Sequence, residues 1–209
     1  MYRGDVDIII ELPYYDNLSV LQRYYYENLM SSSSGALDFM SGGKRSAAAR
    51  ARHARFKLPS VSSRTSPVKS KNAVLVWRSS PSESVELPSI NARFLMKKHR
   101  YTYGVVDRGE STFCDGLGKT DCLNRTTEIW STKGHTPSEP VFVPNPTADS
   151  DDEDAGMLLS VVLDGFSETS YLLVLDAKTM KEVGRAETGI AIHHGFHGVH
   201  SPQPVTKQG

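Results

Sequence analysis

The sequence predicts an all-β fold, and three observations indicate it. The second half of the chain is a series of short runs rich in β-branched and aromatic residues, each bounded by turn residues. The last three runs follow one another closely enough to form a three-stranded meander. A single helical pattern of apolar residues stands near the N-terminus. Short strands with regular turns are typical of a sandwich, a barrel or a propeller.

The first two elements are a strand and a helix. Val6 to Leu12 is rich in β-branched residues and predicts a strand. Asp16 or Asn17 can cap a helix over Leu18 to Met30, and we expect one face of it to be buried. The apolar residues of that face are Leu18, Leu21, Tyr25 and Leu29.

Residues 31–70 differ from the rest of the chain because they are rich in Ser, Ala, Gly and basic residues. This composition predicts a flexible surface insertion, since it buries too little apolar surface to offset the entropy of ordering. A basic arm for nucleic acid or acidic lipid is the alternative. Only two aromatic residues for base stacking, Phe39 and Phe56, lie in this segment, and the whole chain has a net charge of +0, so we expect no nucleic acid partner.

From residue 72 onward the pattern predicts strands separated by turns. Two of these turns, at Asp121 and Asp176, begin with an aspartate, which is a weak sign of repetition. The acidic run 149–154 lacks the glycine and the final glutamate of a calcium-binding loop, so we interpret it as a solvated loop. The predicted strands are Ala73 to Trp77, Tyr101 to Val106, Thr126 to Trp130, Val141 to Val143, Met157 to Asp164, Ser170 to Asp176 and Val183 to Glu187.

The cysteine content and the N-terminus indicate a cytoplasmic protein. Two cysteines, Cys114 and Cys122, are too few for a disulfide scaffold. The first residues contain only a short apolar run, which fits neither a signal peptide nor a membrane-spanning helix.

Three motifs contain residues suited to metal chemistry: ELPSIN with Glu86, PSEPVFVPNP with Glu139, and GFHG with His197. Each has an ordinary interpretation when taken alone. A glutamate beside proline can cap a turn, and a histidine between glycines is more often a loop residue than a metal ligand. The nearby His193, His194 and His200 allow a separate histidine cluster, although the glycines argue against a helix that would align the rings.

Taken together and in this order, the motifs resemble the C-terminal portion of the carotenoid cleavage oxygenases, a family that includes retinal-forming and apocarotenoid-forming dioxygenases and the retinoid isomerase of the eye. The resemblance covers most of the chain and is most specific from PSEPVFVPNP through SYLLVLDAKTMKEVGRAE to GFHG. Residues 31–70 match poorly.

The resemblance implies a seven-bladed β-propeller with Fe(2+) on its axis, bound by four histidines. It implies that His197 is one of these ligands and that Phe196 packs beside the iron. It also implies that Glu86 and Glu139 are two of three carboxylates that accept the Nδ1–H of iron-binding histidines. We therefore expect Glu86 and Glu139 to lie in strands, or at strand ends, that converge on the loop of His197.

The implied reaction is the addition of O2 across a conjugated C=C bond of a carotenoid or apocarotenoid, giving two carbonyl products. A stilbene is an alternative substrate, and peripheral membrane contact is implied by the origin of the substrate. Because the other three histidines of the family pattern precede the matching region, we expect the 209 residues to be a C-terminal part that is inactive alone. The rival hypothesis is a non-catalytic truncated isoform or interaction protein.

Overall fold

The computed structural model of the chain describes residues 6–30, 49–61, 72–111, 113–149, 151–195 and 197–201. These residues form three antiparallel sheets and few, short helices, which confirms the predicted all-β class. The first sheet contains β1 (Val6–Tyr14), β2 (Arg52–Val61) and β3 (Val74–Arg78). The second contains β4 (Val85–Ser89), β5 (Tyr101–Val106), β6 (Gly116–Asp121) and β7 (Thr126–Trp130). The third contains β8 (His135–Pro137), β9 (Val141–Pro144), β10 (Gly156–Asp164), β11 (Thr169–Asp176) and β12 (Glu182–Glu187).

The hydrophobic core lies between the second and third sheets. Tyr103 and Leu117 from the second sheet are fully buried with Leu173 and Leu175 from β11. Along β10 and β11 buried residues alternate with partly exposed ones, as expected for strands with one face on the core. The opposite face of the third sheet is therefore free to form a different surface.

The predicted strands from residue 72 onward all exist, within one or two residues of the expected bounds. The last three form the predicted meander, in which β11 pairs with both β10 and β12. The aspartate-led turns are also present, because Asp121 and Asp176 each accept two hydrogen bonds from backbone amides of the turn that follows. Strands β4, β6 and β8 are additional to the prediction. Strand β6 has the sequence GLGKTD, whose glycines and charges hide its β character.

The helical prediction over Leu18 to Met30 is wrong in extent and orientation. Two short helices, α1 (Ser19–Arg23) and α2 (Tyr26–Met30), replace the single helix. The aromatic run at residues 24–26 has poor helical propensity, and five-residue helices depend on their contacts. The expected face is also exposed where its side chains are described, at Leu18, Leu21 and Tyr25.

The predicted insertion at residues 31–70 needs a correction, because strand β2 (Arg52–Val61) lies inside it. This strand pairs with β1 and β3 in the middle of the first sheet. Its basic side chains are neutralised locally: Arg52 pairs with Asp16, and Arg55 pairs with Glu11. Charge pairs therefore help to stabilise this strand. Its sequence lacks the apolar pattern from which a strand is predicted. Residues 31–48 and 62–70 of the predicted insertion lie outside the described residues.

The acidic run 149–154 is not a simple solvated loop. Asp154 is buried and forms an ion pair with Lys119, with 2.6 Å between Oδ2 and Nζ. The carboxylate of Glu153 accepts hydrogen bonds from the backbone amides of Arg100 and Tyr101. The run thus holds the start of β5 and the middle of β6 in place.

Candidate metal-binding site

The loop that carries His197 lies against the link between β8 and β9. Two backbone amides attach it there: that of Gly195 donates to Ser138 Oγ at 3.4 Å, and that of Gly198 donates to Glu139 Oε2 at 3.1 Å. A Cβ atom on Gly198 would lie 3.2 Å from a methyl carbon of Val141, so a side chain there would crowd the strand. Gly198 thus permits close approach of the two segments.

Glu139 and His197 lie together, as the sequence predicted. Glu139 Oε2 is 3.3 Å from Nδ1 of His197, and the carboxylate is largely buried, whereas the imidazole is 80% exposed. A carboxylate beside Nδ1 favours the tautomer with its proton on that nitrogen and leaves Nε2 as the nitrogen that can bind a metal. The pair has the arrangement expected of a metal ligand and the carboxylate that orients it.

A cavity of about 370 Å³ opens beside this pair. Its floor is the face of the third sheet that points away from the core, and Glu139, His193, His197 and His200 are at its edge. The larger apolar residues that line it are Val141, Leu159, Val161, Leu172, Ile192 and Val199. An apolar cavity with a few polar groups at one edge is typical of a site for a hydrophobic ligand.

Glu86 lies on β4 in a different environment. Its Oε2 accepts a hydrogen bond of 2.7 Å from the hydroxyl of Tyr15. Burial raises the pKa of Glu86, and the negative charge of Asp107 raises it further, although the Tyr15 hydrogen bond and Arg23 oppose this. A Cβ atom on Gly104 would lie 2.4 Å from the carbonyl oxygen of Glu86, which explains the glycine in YTYGVV.

Within the described part of the chain, no hydrogen bond or ion pair joins Glu86 to His197. The role of Glu86 in orienting another histidine stays a prediction, as does the ligand role of His197. Phe196, which was expected beside the iron, lies outside the described residues.

Three residues that surround Glu86 could not be identified from the sequence. Tyr15 reaches the glutamate from the end of β1, and Asp107 follows β5 directly. Arg23 Nη1 is 2.6 Å from Asp107 Oδ2, and both side chains are buried. An arginine on a short helix and an aspartate after a strand are ordinary in sequence, so only the structure shows that they surround Glu86.

The family model for RPE65, the retinal pigment epithelial membrane protein, matches residues 2–202 of the chain. The chain belongs to this family of carotenoid oxygenases. It is 37% identical to a torulene dioxygenase of Fusarium fujikuroi over 199 residues, which are 94% of this chain and 34% of that protein. It is 50% identical to a carotenoid dioxygenase of Neurospora crassa over 122 residues, covering 58% of this chain and 20% of the relative.

A mitochondrial carotenoid-cleaving dioxygenase of Homo sapiens is 34% identical over 220 residues, with 93% of this chain and 36% of the human protein covered. Among solved structures, cobalt-substituted Synechocystis apocarotenoid oxygenase matches with a TM-score of 0.65 and 19% identity. That match covers 92% of this chain and 36% of the solved chain. The chain thus spans about a third of the length of these two proteins and of the Fusarium relative.

Family membership confirms the resemblance stated from the sequence motifs. Within the described residues, no helix is long and apolar enough to cross a membrane. Both cysteines are free and buried.

Proposed function

We propose that this chain is a functional part of a carotenoid cleavage dioxygenase, which adds O2 across a conjugated C=C bond and gives two carbonyl products. The observation that carries the proposal is the Glu139–His197 pair at the edge of an apolar cavity. The relatives named as torulene and carotenoid dioxygenases support a carotenoid or apocarotenoid as the substrate.

The residues present fit Fe(2+) as the metal. The imidazole of His197 is a ligand that suits ferrous iron, and Glu139 beside Nδ1 directs Nε2 to it. Iron held by neutral imidazoles supplies open coordination positions and the redox chemistry that activation of dioxygen needs. We propose that the remaining histidines of the centre come from parts of the enzyme that these 209 residues do not contain, because the chain spans about a third of its relatives.

The chain's own residues then have separate tasks. His197 holds the metal, and Glu139 keeps the imidazole in one tautomer and orientation. Glu86, buried and hydrogen-bonded to Tyr15, orients a second histidine. The side chains of Leu159, Val161 and their neighbours bind the polyene and exclude water from the reacting bond.

We also propose that the three sheets are blades of a closed seven-bladed propeller. Each sheet consists of strands that are adjacent or nearly adjacent in sequence and pair in antiparallel fashion, which is the organisation of a propeller blade. The first sheet contains continuous apolar runs at residues 8–10 and 74–76, and these residues are exposed in this chain. Continuous runs are typical of strands covered on both faces, as a blade is between its neighbours. The cytoplasmic location and the membrane contact stay predictions.

A chimera tests the function. The part of the Fusarium fujikuroi torulene dioxygenase that matches this chain would be replaced by the 209 residues. We expect the chimera to bind iron and to release aldehydes from a carotenoid, and the 209-residue chain alone to do neither, because metal affinity depends on several preorganised ligands.

Variants of the chimera separate the roles. His197→Ala should abolish iron binding and cleavage, and Glu139→Gln should lower activity by about 10–100-fold. His200→Ala is the matched control, since His200 lines the same cavity. Iron content and aldehyde formation are measured for each. Full iron binding and activity in the His197→Ala chimera would show that this histidine is not a ligand.

A further inference from the structure

A second group of metal-ligating side chains lies at the junction of the first and second sheets. Glu11 comes from β1, His53 from β2, and Cys122 from the turn that follows β6. Their ligand atoms all lie within 4.8 Å of one another. The side chains of Glu11 and His53 are 7% and 1% exposed, and Cys122 is 2% exposed. The proposed dioxygenase reaction uses none of the three.

The surroundings of the His53 ring are the observation that indicates a bound ion. Neither of the ring nitrogens hydrogen-bonds to another described residue, although the side chain is almost fully buried. Its Nε2 lies 3.5 Å from Glu11 Oε2, and its ring packs against Trp77 with 5.3 Å between the ring centroids. A buried nitrogen without a hydrogen bond destabilises the folded state, and a bound ion is one of the explanations for such a group.

Two of the three distances within the group, both measured from Glu11 Oε2, match the edges of a tetrahedral zinc site. Zinc bonds of about 2.3 Å to sulfur and about 2.0–2.1 Å to nitrogen and oxygen give edges of roughly 3.5 Å between sulfur and oxygen and roughly 3.3 Å between nitrogen and oxygen. Cys122 Sγ lies 3.4 Å from Glu11 Oε2, and His53 Nε2 lies 3.5 Å from the same oxygen. The third distance, between the ligand atoms of His53 and Cys122, is within 4.8 Å, so a small side-chain adjustment brings all three groups onto one ion.

We propose that Glu11 Oε2, His53 Nε2 and Cys122 Sγ bind a zinc ion that joins the first sheet to the second. Zinc accepts thiolate, imidazole and carboxylate ligands, and a thiolate ligand favours it over hard cations. On binding, Cys122 releases its thiol proton to solvent, so the thiolate and the carboxylate balance the charge of the ion. Arg55 pairs with Glu11 Oε1, the oxygen that the metal does not use, whereas Oε2 also lies within hydrogen-bond distance of His99 Nε2 and Thr102 Oγ1.

The fourth position goes to water or to His99, whose Nε2 is 2.9 Å from Glu11 Oε2. The competing arrangement is a metal-free network, in which His99, Thr102 and Arg55 alone stabilise the carboxylate. That network satisfies Glu11 but leaves both ring nitrogens of His53 without a hydrogen bond. The two arrangements differ in whether Cys122 is a thiolate, and this can be measured directly.

The experiment uses the 209-residue chain, stripped of metal with a chelator and titrated with Co(II) alone. We expect about one cobalt per chain, an absorption band from thiolate-to-cobalt charge transfer, and visible bands of an intensity that indicates tetrahedral coordination. Zn(II) should displace the cobalt and raise the melting temperature, because a ligand that binds only the folded state stabilises it.

The two buried free cysteines give a matched pair of variants. Cys122→Ala should remove the charge-transfer band, whereas Cys114→Ala should retain it. His53→Gln should weaken cobalt binding by more than the ~10–100-fold typical of losing a residue that only supports a ligand. His197→Ala should leave the band unchanged, which separates this site from the proposed iron centre.

Circular dichroism of each variant identifies any that do not fold, and the wild-type titration decides the proposal without them. A folded wild-type chain that gives no charge-transfer band would establish the metal-free network and overturn the zinc site. A band that survives Cys122→Ala would overturn the ligand assignment.

Discussion

Glu86 and Glu139 are two carboxylates with the same predicted role in different surroundings. Glu139 lies beside an imidazole and a backbone amide, both of which interact with its carboxylate oxygen. Glu86 is buried next to Tyr15, and burial raises its pKa. The motifs predict that both residues belong to a metal site, because the three motifs together contain two carboxylates and an imidazole, and this assignment stays a prediction. They could not predict the different surroundings, since Tyr15 and Asp107 come from distant parts of the chain.

We predict that Glu86→Gln changes the pH dependence of stability. A carboxyl group whose pKa is raised on folding stabilises the folded chain below its unfolded pKa of about 4.3, and this contribution is lost as pH rises through the folded value. The variant should therefore gain stability relative to wild type as pH rises from about 4 towards neutrality. Urea unfolding across this range measures the difference, with the exposed Glu83→Gln as control. A difference that does not change with pH would contradict the prediction.

At the scale of elements, strands with an apolar pattern were predictable and strands with another pattern were not. The bounds of β5 and β7 agree with the prediction, because their β-branched and aromatic residues are bounded by turns. Strand β2 was missed because its basic residues pair with acids on β1 and elsewhere. The prediction of one helix with a buried apolar face was wrong. Among the described residues, no strand or helix covers that face. The acidic run was misjudged because Lys119, its main partner, is far from it in sequence.

We predict that Lys119→Met destabilises the chain much more than Lys178→Met. Lys119 and Asp154 form a buried pair, and loss of one partner leaves the other charge buried, which costs about 3–5 kcal/mol. Lys178 pairs with Asp152 on the surface, where water screens both charges, so little change is expected. Free energies of unfolding from denaturant titration compare the two variants. Equal effects would show that the Lys119 pair does not stabilise the junction of the sheets.

At the scale of the whole molecule, the described residues contain a well-covered core between the second and third sheets and continuous exposed apolar runs on the first sheet. The second and third sheets cover each other, whereas the runs Ile8–Ile10 and Val74–Val76 of the first sheet are exposed. Exposed apolar runs on a sheet favour association with another surface. This agrees with a chain that spans about a third of its relatives' length.

We predict that the isolated chain self-associates through the first sheet. Ile9→Lys together with Val76→Lys should shift it towards the monomer, because both residues are exposed, one on each edge strand of that sheet. Leu123→Lys is the control, since Leu123 is 71% exposed in a turn of the second sheet. Light scattering after size-exclusion chromatography measures the mass. A wild-type chain that stays monomeric at high concentration would contradict the prediction.

The order of strands in the sheets also has a consequence for how the chain folds. Most pairs in the second and third sheets join strands that follow one another directly, and Asp121, Asp164 and Asp176 close three of the turns with local hydrogen bonds. Pairing of β1 with β2 instead brings Tyr14 to Arg52, which is distant in sequence, and closing this long separation costs entropy before any contact is gained. We therefore expect the second and third sheets to acquire amide protection first in refolding, and the first sheet to form afterwards on a surface that already exists.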